Sequence, residues 1–153
     1  MSDVQLDERG FIITCPSCAQ RNRMAFSTRE ARCGRCKSPL PPPSEPIEVP
    51  DARAFDALVR DGRQPVVVDF WAPWCGPCRM VAPELARVAA SHVGRFVVVK
   101  VNTDALPELG ERFRIQSIPT MAVFAGGKEV ARTSGAMAAA QIESFVNGAV
   151  GVA

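Results

Sequence analysis

Six cysteines carry the chemistry this sequence can offer, and they fall into three pairs of one form: Cys15/Cys18, Cys33/Cys36 and Cys75/Cys78, each a CxxC. Two thiols three residues apart can close a disulfide or offer two sulfurs to one corner of a metal site. In a reducing compartment such cysteines serve as metal ligands or redox catalysts more often than as a structural disulfide framework. Cys15-Pro16-Ser17-Cys18 and Cys33-Gly34-Arg35-Cys36 are separated by fourteen residues, near the spacing of a zinc ribbon. Together they read as the two knuckles of one closed tetrathiolate site for a single Zn2+, with Gly34 suited to the tight turn of a knuckle. A closed site has no open position for catalysis, so the metal is expected to be structural. Two disulfides, or two independent redox pairs, are the alternatives for these four thiols.

The third pair has a different setting. Pro65 bounds the apolar run Val66-Val67-Val68-Asp69-Phe70, which reads as a buried strand, and a helical pattern begins near Gly76 and runs through Met80, Val81, Leu85, Val88 and Ala89 to about Gly94. Cys75 therefore stands at a strand-to-helix junction. Unpaired backbone N–H groups and the positive end of the helix dipole favour thiolate over thiol there, which makes Cys75 a nucleophile. Cys78 lies one turn deeper on the same face, close enough to bond to Cys75, and reads as the resolving thiol. Pro77 in the first turn costs no hydrogen bond, whereas Pro83 in mid-pattern is expected to bend the helix. Asp69, placed among valines, would be desolvated and its pKa raised toward the range of a general base.

These junction elements belong to a longer alternation: a helix from Ala52 to Asp61, a strand from Phe96 to Val101, a short helix from Leu106 to Phe113, a hairpin of Thr120–Phe124 with Glu129–Thr133 about Gly126-Gly127, and a last helix from Ala138 to Asn147. That order implies an α/β fold with a central mixed sheet covered by helices. The preceding segment, at 40 residues, is too short to build a self-sufficient core without a staple, and a metal would supply it. Between them Pro39-Leu40-Pro41-Pro42-Pro43-Ser44-Glu45-Pro46 reads as a semi-rigid spacer, long enough to permit several dockings. The expected organisation is a zinc ribbon over residues 1–40, a proline-rich linker over 41–46 and an α/β domain over 47–153.

Composition narrows the function classes. With 47% hydrophobic and 22% charged residues the chain can bury a core, and a net charge of +2 does not mark a dedicated binder of nucleic acid or anionic membrane. Arg21, Arg23, Arg29, Arg32, Arg35 and Lys37 give the first segment a basic cast without clustered aromatics, so nucleic acid is not the expected partner. No apolar run approaches the roughly 20 residues of a membrane span, and Met1-Ser2-Asp3-Val4 lacks the basic and apolar regions of a signal peptide. Cytoplasm is the expected compartment.

Trp71-Ala72-Pro73-Trp74-Cys75-Gly76-Pro77-Cys78 and the residues beyond it resemble the thioredoxin family, whose signature is WCGPC; the likeness runs from about Ile47 to Val150. Asp69-Phe70 before the signature, Lys100 in the next strand, Ile118-Pro119-Thr120 before the hairpin and Gly135 after it appear in family order. The four-cysteine segment ahead of a WCGPC domain is similar to the N-terminal zinc-binding extension that some members of the family carry. The resemblance implies a thioredoxin fold preceded by the zinc ribbon. It implies a catalytic set of Cys75, Cys78, Asp69 and Lys100, in which Asp69 assists deprotonation of Cys78 and Lys100 is its charge partner. It also implies a cis bond before Pro119 and an apolar docking surface of Trp74, Gly76, Pro77, Ile118, Pro119 and Gly135.

The activity so implied is a general protein-disulfide reductase, acting on disulfide-containing proteins as a monomer and recharged by an NADPH-dependent thioredoxin reductase. It binds no organic cofactor, and Gly-Pro between the cysteines resembles reductants rather than oxidants. Pro73 and Ser134 depart from commoner family residues at the rim. Trp71 reads as core packing and His92, the single histidine, as surface. The competing reading makes the N-terminal segment a zinc-thiolate redox sensor, or the module of a zinc-dependent holdase, that regulates partner binding.

Overall fold

The computed structural model describes residues 4–151; Met1, Ser2 and Asp3, on which the signal-peptide reading mostly rests, and the last two residues of the 47–153 segment lie outside the described residues. The chain opens with three antiparallel strands in the order β1 (Val4–Asp7), β2 (Gly10–Thr14), β3 (Arg21–Met24). Two short strands follow, β4 (Ala31–Arg32) paired with β5 (Pro39–Leu40). None of these strands was expected from the sequence, although Phe11 and Ile13 are buried around a half-buried Ile12, the period of two that marks a strand. Gly10 closes the first hairpin at φ +149, and a Cβ there would run into the Met24 carbonyl of β3, so the turn demands glycine.

The remaining elements are β6 (Ile47–Glu48), α1 (Ala52–Asp61), β7 (Val66–Trp71), α2 (Gly76–Ser91), β8 (Val97–Asn102), α3 (Pro107–Arg112), β9 (Thr120–Ala125), β10 (Lys128–Ser134) and α4 (Ala139–Val150). Five of the strands form one sheet in the order β10-β9-β7-β8-β6, with β7 parallel to β8, β8 parallel to β6, and β9 antiparallel to both β7 and β10. The mixed sheet is as expected; β6 is an addition, too short to show a period on its own. Asp51 caps α1, its Oδ1 accepting the Ala54 N–H at 2.8 Å. Helix α2 runs unbroken through Pro83.

The two faces of the sheet bury different sets. Val66, Val68 and Phe70 pack with Val97, Val99 and Val101 against Phe55 and Leu58 of α1 and Leu109 of α3. Val67, Val98, Met121 and Val123 pack against Val81, Leu85 and Val88 of α2 and Ile142 and Val146 of α4. Side chains alternate along a strand, so Asp69 and Lys100 share the face that carries α2.

The first of these clusters does not stop at the proline-rich stretch. Leu6, Phe11, Ile13, Met24, Phe26 and Leu40 join it, and Arg63 donates its backbone N–H to the Phe26 carbonyl at 3.3 Å. The semi-rigid spacer was expected to permit several dockings, and here the structure differs: Pro39 and Leu40 are strand, Pro43 is buried, and the N-terminal strands lie against α1. The physical reason is that Phe11, Phe26 and Leu40 need apolar cover that a segment of this size cannot supply to itself. Among the described residues no helix is long and apolar enough to cross a membrane.

Candidate functional site

Cys75 is the N-cap of α2, where β7 has ended and the first helical N–H groups lack partners. Its Sγ accepts the Cys78 N–H at 3.2 Å and lies 3.8 Å from the Ile118 carbonyl oxygen. Cys75 and Cys78 are joined as a disulfide with Cα atoms 5.3 Å apart. Both sulfurs are nearly covered, at 3% and 4% residue exposure, so position at the helix end rather than exposure distinguishes them.

The Ile118–Pro119 bond is cis, and the Pro119 carbonyl accepts the Gly135 N–H at 2.9 Å. Gly135 has φ +102, the left-handed region that glycine enters without strain. The chain thus turns back beside the disulfide, and Trp74, 66% exposed, stands next to it. Trp74, Gly76, Pro77, Ile118, Pro119 and Gly135 are brought to one end of the sheet by the ends of β7 and β10 and the starts of α2 and β9. Thr120 Oγ1 donates to the Ser117 carbonyl at 2.5 Å and meets Ser134 Oγ at 2.9 Å, so the exposed Ser134 is paired with the buried Thr120.

Asp69 is 1% exposed and neither carboxylate oxygen has a hydrogen-bond partner. Burial pushes its carboxyl up to about 7, with the Lys100 ammonium opposing and the Glu48 carboxylate adding to the rise. Lys100 lies in register with Asp69 across β7 and β8, yet among the described residues no ion pair joins them. Its Nζ instead stands 4.4 Å over the centre of the Trp71 ring. Desolvation therefore wins over attraction, and the carboxyl stays protonated well above its ordinary range.

That balance has a measurable stability consequence. Asp69 titrates near 3.8 when unfolded and about 7 when folded, so between those values the folded state holds the extra proton and stability falls as pH rises. Asp69→Asn removes the penalty and stabilises the oxidised protein above about pH 7 by up to about 4 kcal/mol, a gain that fades below about pH 4. Urea midpoints of both proteins at the two pH values check this; equal gains at both would contradict it.

Two expectations are corrected here, for Trp71 and His92. Trp71 is not core packing: it is half-buried, and its indole Nε1 donates to Glu48 Oε1 at 3.0 Å. His92 is buried rather than on the surface, its Nε2 2.6 Å from Glu143 Oε2 and its ring stacked on Phe96, which ties α2 to α4. Met80 belongs to the helical pattern but is 71% exposed, in a shallow groove with Glu84, Ala136, Met137 and Ala138 beside Gly135. Glu48 was missed altogether; the alternation Ile47-Glu48-Val49 was its only signal.

The four N-terminal cysteines form a second centre. Their sulfurs lie within 4.8 Å of one another, with Cys15 to Cys36 and Cys18 to Cys33 both 3.6 Å. Tetrahedral ligands at a Zn–S distance of about 2.3 Å are about 3.8 Å apart, so the spacing suits a metal of that size. Backbone N–H groups of Cys36 and Arg35 pull the Cys33 thiol down. At Cys18 the Gln20 N–H opposes burial and the three neighbouring thiols, which together push it up. Four thiols so crowded cannot all ionise without a cation, and the cluster could hold one.

Residues 46–148 match the thioredoxin family. Thioredoxin 1 of Chlorobaculum tepidum is 45% identical over 100 residues, covering 65% of this chain and 99% of its own length. Thioredoxin C-3 of Corynebacterium nephridii is 37% identical over 138 residues, 89% of this chain and 93% of its own, so that likeness takes in part of the N-terminal segment. Among solved structures, a mutant thioredoxin from Halobacterium salinarum aligns with a TM-score of 0.64 and 27% identity over 71% of this chain and 93% of its own. A CxxC at the N-terminus of α2, a cis-proline beside it and these likenesses converge: the chain belongs to the thioredoxin family and is a protein-disulfide reductase.

Proposed function

We propose that this reductase is a general one, working by dithiol exchange through Trp74-Cys75-Gly76-Pro77-Cys78, on an N-terminal module stapled by one Zn2+. The observation that carries the reading is the placement of Cys75 Sγ, which accepts a helix-end N–H and lies 3.8 Å from the Ile118 carbonyl. A substrate strand laid across Trp74, Gly76 and Pro77 can pair with the backbone at Ile118 while Pro119 and Gly135 flank its disulfide.

The Cys75 thiolate attacks one substrate sulfur, the Cys75–substrate bond forms, and the other substrate sulfur leaves as thiolate. Asp69 then takes the Cys78 proton. The Cys78 thiolate attacks Cys75 Sγ, closing the Cys75–Cys78 bond and breaking the mixed disulfide, and the second substrate sulfur leaves. Two electrons have passed to the substrate, and an NADPH-dependent thioredoxin reductase returns them. Lys100 keeps the Asp69 site from losing all countercharge. Cys15, Cys18, Cys33 and Cys36 would hold the zinc, which would neutralise the crowded thiolates and fasten the module. The protein acts as a monomer in the cytoplasm.

Cys78→Ser is the test. Its Cys75 is expected to accumulate a covalent adduct with oxidised insulin, detected as a mass increase that excess thiol reverses, while wild type releases the substrate. No adduct would overturn the assignment of Cys75. A second reading, a zinc-thiolate redox sensor, draws on the exposure of Cys36 beside the buried Cys15 and Cys33.

A further inference from the structure

Glu48, Lys100, Asp69 and Met121 lie in one row across four strands, each in register with the next. Lys100 is flanked by an acid on either side. It pairs fully with neither, because the Trp71 ring takes its ammonium at 4.4 Å, and the ring is fixed by the indole hydrogen bond to Glu48 Oε1 at 3.0 Å. Glu48 is itself fixed, since the Val49 N–H donates to the Lys100 carbonyl at 2.9 Å and holds β6 on the sheet edge. Glu48 and Lys100 line a cleft that β1 walls with Val4, Gln5 and Leu6, which leaves this end of the row open to water.

We propose that Glu48 is a positioning residue for the resolving step, holding Trp71 and Lys100 so that the ammonium is withheld from Asp69 and Asp69 stays basic enough to take the Cys78 proton. The inference rests on the reading of Asp69 as that base. A carboxylate paired tightly with a lysine is a weak base, and an acid left alone in an apolar site is a strong one. The charged groups that act on Asp69 are Lys100 on β8 and Glu48 on β6; β9 opposes it with the neutral Met121, and α2, which starts after Cys75 and carries Cys78, packs on the same face of the sheet. The Glu48 charge raises the proton affinity of Asp69 and the Lys100 charge lowers it. Removing the Glu48 charge therefore acts twice in one direction, directly and by releasing Lys100.

The test is the Asp69 titration, followed by carboxyl carbon NMR in the full chain, beside the pH profile of single-turnover disulfide reduction. Glu48→Gln keeps an oxygen for the Trp71 N–H. It is expected to lower the Asp69 midpoint by about half a pH unit or more and to move the acid inflection of the rate by the same amount. Glu48→Asp retains the charge and is expected to recover most of the shift. In a Lys100→Gln background the effect of Glu48→Gln is expected to shrink, because no ammonium remains to be released. An unchanged midpoint in Glu48→Gln, or an undiminished shift in the Lys100→Gln background, overturns the proposal; lost stability without a shift would make Glu48 merely structural. Asp69→Asn separates the two readings. If it resolves substrate as fast as wild type at neutral pH, the base assignment fails, while the titration still decides what Glu48 does to Asp69.

Discussion

Cys75→Ser is expected to reduce insulin no faster than the uncatalysed background, a loss of roughly a thousandfold or more, read as the onset of turbidity. The hydroxyl that replaces the thiol stays protonated at neutral pH even at a helix N-terminus, and it cannot share electrons with the substrate through a disulfide. Cys78 offers no substitute. Its backbone N–H is the donor to Cys75 Sγ, and Cys78 lies within the first turn of α2, whereas the contact with the Ile118 carbonyl that an incoming strand would meet is made by Cys75 Sγ. The fold should survive the change, because the core clusters on the two sheet faces are complete without either sulfur. Activity in Cys75→Ser equal to wild type would leave the placement at the helix end without chemical meaning.

The second large effect concerns the four-thiol centre. One zinc per chain is expected on metal analysis, and mild oxidation should consume only the two thiols of Cys75 and Cys78. Chelation, or Cys33→Ser at a fully buried ligand, is expected to lower the melting temperature by about 10 °C or more. The loss should reach beyond the module, because Phe11, Phe26 and Leu40 pack in the same cluster as Phe55 and Leu58 of α1. A chain that carries no metal and melts alike with and without chelator would show that the cluster is not a metal centre. A peroxide titration separates the two roles of the metal. Zinc retained at doses that oxidise Cys75 and Cys78 makes it a passive staple, and zinc released first makes the exposed Cys36 the entry point of a sensor.

Much of the catalytic sheet was legible because its signals are local. The valine run of β7, the start of α2 at Gly76 and the hairpin about Gly126-Gly127 each rest on a handful of adjacent residues, and the observed bounds lie within a few residues of those expected. The N-terminal strands were missed for the opposite reason. β4, β5 and β6 are two residues each and exist only through their partners, and the period of two in β1 and β2 is brief. Met80 and His92 show the same limit on a helix, where periodicity names a face without saying what covers it. Near the C-terminal end of α2, Glu143 and Phe96 enclose His92, while the start of the helix leaves Met80 bare beside the groove.

The sequence alone determined the α/β fold, the membership in the thioredoxin family and the presence of a reactive CxxC at a strand-to-helix junction. The fold class and the junction are written in local patterns of adjacent residues, and the family in the resemblance of WCGPC and the motifs that follow it in order. The two N-terminal CxxC pairs already read as one site, and their sulfurs do lie within 4.8 Å of one another; only the tertiary structure decided that the N-terminal strands lie on α1 and that Glu48, Lys100 and Asp69 share one row. The row is joined by strand register, and the N-terminal strands by burial against a helix from elsewhere in the chain. Register is a property of the packed sheet, so no single segment carries it.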